Sequence, residues 1–304
     1  MGIFQGDLAQ LQPTPGIVAY DVNVSLYSDG AEKHRFLWLP PGTQMQATAD
    51  RWVVPVGAYF IKNFYYPNDA RDPSKGIHLI ETRFLIRGQG GLTVSTYVWN
   101  VDQTDAIVSG GNVDVPVRWI DANGILHNDY FHVPGTSLCE SCHDNRMLGI
   151  RTRQIAHQGT YPDGTVDQIS HLIAAGVLDA QPRQGIALVD PFGTATLDQR
   201  ARSYLDANCA HCHASVGLAS GTNLYWDYED TDPSTLPLCR KTEAVAGNDH
   251  VIVPGHPEQS EFLSRMLDPD PFGRMPQGPT HIPDGAGIAV LSDWVAQMTP
   301  VGCP

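Results

Sequence analysis

Apolar and polar residues alternate most clearly between His78 and Asn100. Ile80, Thr82, Phe84 and Ile86 fall on one face, with Glu81, Arg83 and Arg87 on the other. Gly88-Gln89-Gly90-Gly91 reads as a turn, and alternation resumes from Leu92, so the pattern predicts a β-hairpin. The aromatic and β-branched run from Arg51 to Tyr66, and the segment from Val113 to Ile120, predict further strands. The period changes in the second half. Leu197, Ala201, Tyr204, Leu205 and Asn208 recur at helical spacing, and Thr196 with Gln199 forms a capping box ahead of them. Ile288, Leu291, Trp294, Val295 and Met298 mark a closing helix capped by Asp284. Shorter helices are predicted over 260–266 and from Val166 to near Gly176. The expected fold class is α+β: a β-rich domain over 1–136, a segment over 137–190 that packs with it, and an all-α domain over 191–304.

Composition adds limits. The 304 residues suffice for two or three domains of ~100–200 residues each. Acids outnumber bases, 33 to 19, for a formal charge of −14, which argues against nucleic acid as a partner. Gly 29 and Pro 23 point to much irregular structure. No run approaches the ~20 apolar residues of a membrane span. Met1-Gly2-Ile3-Phe4 has no basic end and no apolar run of a leader, and Gly6 replaces the Ser or Thr of a myristoylation motif.

The six cysteines change the picture most. Cys139-Glu140-Ser141-Cys142-His143 and Cys209-Ala210-His211-Cys212-His213 are both C-x-x-C-H, the attachment signature of haem c. Two thiols at this spacing add across the two vinyl groups of one haem, and the following histidine then lies under the ring as an iron ligand. The residues therefore point to two covalent haem c groups, with His143 and His213 on iron. A structural zinc site would use two C-x-x-C pairs, but the stretch from 143 to 208 is long for one and gives no reason for either histidine. A thioredoxin-like redox pair needs a strand before it, whereas Val133–Leu138 reads as a loop.

A helix running into C-x-x-C-H, a loop methionine in Arg274-Met275-Pro276 and a closing helix resemble a class I cytochrome c domain. That resemblance implies His213 as proximal and Met275 as distal ligand, a pairing that raises the potential. Met266, in a predicted helix, is the rival for Met275. For the first haem, Met147 would share a helical face with His143 and is disfavoured. His171 leads as its distal ligand, with His157 and His132 as rivals, and Lys62 or an open iron remaining. Haem c attachment implies export to the periplasm or cell exterior, with a signal upstream of a mature or trimmed sequence. In that oxidising setting Cys239 and Cys303 are expected to form a disulfide.

The order Leu26-Tyr27-Ser28-Asp29, Lys33-His34-Arg35-Phe36, Pro55-Val56-Gly57, Ile80-Glu81-Thr82-Arg83 and Tyr97-Val98-Trp99-Asn100, together with both haem motifs and Val253-Pro254-Gly255-His256-Pro257, resembles a family of bacterial exported dihaem c-type cytochromes. The resemblance covers nearly the whole chain and implies electron transfer, with redox proteins or other copies of the chain as partners. A dihaem peroxidase is the enzymatic alternative, and a subunit of an extracellular conductive polymer the structural one. Lys33, His34, Arg35, Lys62, Glu81 and Arg83 either line a site over the first haem or sit on a solvated sheet face.

Overall fold

The computed structural model describes residues 2–143, 145–161, 164–183, 185–230, 236–242, 248–270, 273–278 and 280–304. The chain divides into two compact units. One comprises Met1–Asn23 and Gly30–Ala187, the other Val24–Asp29 and Leu188–Pro304.

The first unit is organised by six antiparallel strands that follow one another in sequence order: β1 (Val18–Tyr20), β2 (Glu32–Trp38), β3 (Tyr59–Pro67), β4 (Ile77–Gly88), β5 (Gly91–Trp99) and β6 (Ala106–Ser109). Each strand pairs with its chain neighbour, so no crossover connection is needed. A hairpin of β7 (Val113–Ile120) and β8 (Leu126–Val133) follows, then α1 (Thr136–His143), α2 (Thr152–Ile155), a second hairpin of β9 (Gln158–Tyr161) and β10 (Gly164–Asp167), and α3 (Gln168–Ala174). The sheet is covered on both faces. Phe36, Ile61, Phe84 and Trp99 point to one side and join Leu11 in a buried cluster. Leu37 and Phe60 point to the other, where Trp52, Ile155, Ile169, Leu172 and Leu178 close over them. The β7–β8 hairpin adds Val117, Trp119 and Phe131 against Phe64, Tyr66 and Ile80.

Several expectations change at this level. Only Tyr59–Pro67 of the predicted 51–66 strand is regular. The register of β3 on β4 shifts between Phe64 and Tyr65, where Phe64 faces Glu81 and Tyr65 faces Leu79. Ile80 is thus the extra residue of a bulge and joins the cluster of Phe64, not the face of Phe84. The helix expected from Val166 starts only at Gln168, with Asp167 as its cap, because Gly164–Asp167 pairs as a strand. Cys139 follows a strand and lies inside a helix, where the sequence suggests a loop.

The second unit contains α4 (Leu197–Asn208), α5 (Glu261–Leu267) and α6 (Gly285–Ala296). The capping box of Thr196 and Gln199 is present, and Asp284 caps α6 through the Gly287 amide. Gly287 lies flat on the Tyr204 ring of α4. A Cβ there would fall 2.3 Å from the ring, and the Tyr204 hydroxyl donates to Asp284 at 2.9 Å. The expected α+β class with an all-α, cytochrome c-like C-terminal domain is overturned. Strand outweighs helix, 29% to 22%, and the large antiparallel sheet dominates. In the second unit, the stretch between α4 and α5 has no α-helix among its described residues. It pairs through isolated bridges, Leu238 with Ile252, Lys241 with His250 and His250 with Ser260. Pro237, Pro254 and Pro257 lack the amide that a helix would use there. No described helix is long and apolar enough to cross a membrane.

Candidate functional site

The first C-x-x-C-H is held at both ends. Gly111, at φ 81, comes so close to Pro134 that a Cβ would fall 2.1 Å from its carbonyl oxygen, and the neighbouring Asn112 accepts from the Gly135 amide at 3.2 Å. This fixes the entry to α1. At its exit, Asn145 Oδ1 accepts from the Leu92 amide at the start of β5 at 3.1 Å. Between these ties α1 packs on β5, and Cys139 is buried while Cys142 and His143 are half-buried. His143 Nδ1 meets the Arg146 carbonyl at 3.1 Å. A proton on Nδ1 leaves the lone pair on Nε2, the tautomer a metal-binding imidazole uses.

Under Cys139 lies a band of charge. Arg35, Lys62 and Arg83 are directly opposite one another across β2, β3 and β4, with Lys33 opposite Phe64 and Phe64 opposite Glu81. This is not a solvated face. Glu81 is 0% exposed and Arg35 7%. Arg83 Nε donates to Glu81 at 2.8 Å and a second guanidinium nitrogen also reaches Glu81, while Arg35 pairs with Asp21. The Phe64 ring carries three cations over it: the Arg83 guanidinium at 4.5 Å, Lys33 at 5.3 Å and Lys62 at 5.8 Å. His34 departs from the group, pointing to the other face and stacking on Tyr65 at 4.4 Å.

Burial, reinforced by the Arg35 and Arg83 guanidinium groups, pushes the Lys62 pKa down from 10.5 to about 7, and Lys33 is held well below its usual value in the same way. As pH rises, the folded chain therefore releases the Lys62 proton before the unfolded chain does. Lys62 favours folding most above pH 10.5, and that contribution is lost as pH falls toward 7. The stability of wild type relative to Lys62→Gln is accordingly expected to rise from pH 7 to pH 10. Urea midpoints of the two proteins at both pH values check this, and a flat difference would show an ordinary solvated lysine.

The histidines expected near the first haem have definite places. His171, on α3, stacks on Tyr161 at 3.7 Å. His157 engages both ring nitrogens, Nδ1 with the Gln158 carbonyl at 2.9 Å and Nε2 with Gln168 at 3.0 Å. His132, on β8, pairs through Nδ1 with Asp114 at 2.6 Å. Met147 lies beyond the end of α1 and packs on the cluster of Leu37 and Phe60. It is Lys62, of the alternatives weighed, that shares an electrostatic neighbourhood with Cys139.

The second motif grows out of α4. The Cys209 amide donates to Leu205 at 2.8 Å and the His213 amide to Cys209 at 2.9 Å, so the motif forms one more helical turn. Its oxygens are used by the next loop: Ala219 donates to Cys212 at 3.0 Å and Trp226 to His213 at 3.1 Å. Asn208, 1% exposed, accepts from the Tyr27 amide at 2.8 Å and donates to the Tyr204 carbonyl at 3.0 Å. Burial lowers the His213 pKa, His211 and Arg265 act in the same direction, and the Leu224 carbonyl opposes them. The Met275 amide donates to the Arg265 carbonyl at 2.8 Å, which ties the methionine loop to α5, the helix whose arginine acts on His213. Met266 is buried in the apolar core with Trp226 and Trp294, as a packing residue.

These residues suit covalently attached haem. Cys239 and Cys303 form a disulfide, whereas Cys139, Cys142, Cys209 and Cys212 are unbridged, two to each histidine. His213 Nδ1 is buried without a hydrogen bond of normal geometry. Burial raises the thiol pKa of Cys139 and pushes that of Cys209 up to about 12. A reactive redox pair needs the opposite shift, so this chemistry argues against a thioredoxin-like role where the expected loop does not. A neutral thioether sulfur is at home in such surroundings.

Three contacts gave little signal in the sequence: the burial of Glu81, the reach of Tyr27 to Asn208, and Asp29. Asp29, 2% exposed, accepts from the amides of His281 and Ile282 at 3.0 and 2.9 Å. The one hint was Asn208 itself, a polar residue in an apolar helical stripe. No family model, no curated protein and no solved structure matches the chain significantly.

Proposed function

We propose that the chain is an exported dihaem c-type cytochrome that carries electrons in the periplasm or at the cell exterior. The observation that carries this reading is the pair of C-x-x-C-H motifs, each on a helical turn with both thiols unbridged, in a chain whose remaining two cysteines are bonded to each other. Cys139 and Cys142 would hold one haem and Cys209 and Cys212 the other, and each group supplies a reversible one-electron couple. His143 and His213 would each supply an imidazole to an iron. Met275 would supply a thioether to the second centre, a pairing that favours a higher potential. The disulfide accords with an oxidising compartment. Redox proteins, or other copies of the chain, are the partners this reading requires.

The test is spectroscopic. A pyridine haemochrome assay is expected to return two haems c per chain. A potentiometric titration is expected to show two one-electron waves, the upper one lost in Met275→Ala. A single two-electron wave from a non-haem centre would overturn the reading. High-spin iron at the first haem in the resting protein would favour the peroxidase-like alternative.

A further inference from the structure

We propose that Lys62 supplies the second axial ligand of the first haem, through its side-chain nitrogen. The inference rests on the dihaem reading and adds the one ligand that reading leaves open.

The chain on either side of α1 fixes where that helix lies. Val133, just before it, is buried with Phe64 and Val117. Met147, just after it, packs on the cluster of Leu37 and Phe60. Phe60, Lys62 and Phe64 alternate along β3 and so share a face of the sheet. Lys62 is therefore midway between the two apolar clusters that α1 joins. It belongs to a row, Arg35, Lys62, Arg83 and Thr96, that crosses the sheet from β2 to β5. α1 packs on the β5 end of that row, and Lys62 is two strands further in, roughly 10 Å. Cys139 is 8% exposed, and Arg83, Glu81 and Lys62 all act electrostatically on its sulfur, so the helix turns a haem-bearing cysteine toward the row.

Lys62 has no other use for its nitrogen. Among the described residues it makes no hydrogen bond and no ion pair, and its contact is the Phe64 ring at 5.8 Å. An ammonium carries three donors and is costly to shield from water while they are unused. Burial favours the neutral amine here, and a neutral amine offers one lone pair, which is what a metal takes. The neighbouring Lys33 differs, because it donates to the Ala31 carbonyl at 3.2 Å. The histidines are placed less well. His157 engages both ring nitrogens, and His171 stacks on Tyr161 of the β9–β10 hairpin. His132 alternates with the buried Phe131 and Val133, so it is on the opposite face of its strand. A filled second axial position leaves no place for peroxide, which separates an electron carrier from the peroxidase-like alternative.

Electron paramagnetic resonance of the oxidised holoprotein tests this. Wild type is expected to hold two low-spin irons. Lys62→Ala should turn one of the two haems high-spin, with the haemochrome count still at two and the thioether–iron absorption of the second centre unchanged. Lys62→Arg keeps a charge but offers no lone pair, so it should do the same and decides the matter if the alanine variant fails to fold. Added n-butylamine should return the iron of Lys62→Ala to low spin, saturably, and leave wild type unaltered. Lys33→Leu should stay low-spin. The proposal is overturned by high-spin iron in wild type, by low-spin iron at both haems in Lys62→Arg, by a spin change in Lys33→Leu equal to that in the Lys62 variants, or by a count of one haem in both Lys62 variants. Two haems with unaltered spin in those variants would remove the ligand and leave the electron-transfer reading intact, whereas a preparation without covalent haem removes both.

Discussion

Replacing Glu81 with Gln is expected to destabilise the first unit by about 3–5 kcal/mol. Glu81 is fully buried and is the carboxylate that holds Arg83 through two contacts. Removing its charge takes from the Arg83 guanidinium the carboxylate it is bonded to and leaves it beside Arg35, Lys62 and Lys33. The loss should appear as a lower urea midpoint for the transition of the first unit, followed by far-UV circular dichroism. A loss under about 1 kcal/mol, the range of exposed ion pairs, would show that water screens the band after all.

The second large effect concerns Cys209 and Cys212. Their joint replacement by Ala is expected to remove one of two haems and to abolish cooperative unfolding of the second unit. The reason lies in the stretch between α4 and α5. Its described residues form no α-helix and pair only through single bridges, so few regular hydrogen bonds offset an ordering entropy of about 1–2 kcal/mol per residue. Cys209 and Ala210 adjoin the core of Tyr204, Trp226 and Trp294, and a porphyrin bonded at Cys209 would add apolar surface there. A haemochrome count falling from two to one, with one thermal transition lost, is the expected result. The same change at Cys139 and Cys142 should spare the second transition. A double variant that kept both haems would sink the assignment.

Local signals in the sequence read well where one interaction decides. The capping box at Thr196 and Gln199 placed α4 to the residue, and Asp284 placed α6, because a cap needs only its own turn. The alternation around Phe84 gave the β4–β5 hairpin but misplaced Ile80, since a bulge is a property of two strands and period-two counting sees one. The same limit hid the burial of Glu81. Nothing in its own segment says that a hairpin and a helix cover that face. The C-x-x-C-H motifs were legible because their chemistry is local. The C-terminal architecture was not, because two well-marked helices drew an all-α frame around a stretch whose folding depends on bridges and a disulfide.

The six residues from Val24 to Asp29 belong to the second unit although the chain around them builds the first. Tyr27 donates its amide to Asn208, and Asp29 receives the amides of His281 and Ile282 from about 250 positions further on. On a ribosome, then, the second unit's first contribution is made early and waits until almost the last residues are synthesised. A gene fragment beginning at 188 would encode every helix and both cysteines of the second motif. It would still leave two half-buried amides facing a missing carboxylate. The boundary between the two units is a division of the folded protein that no single cut in the coding sequence reproduces.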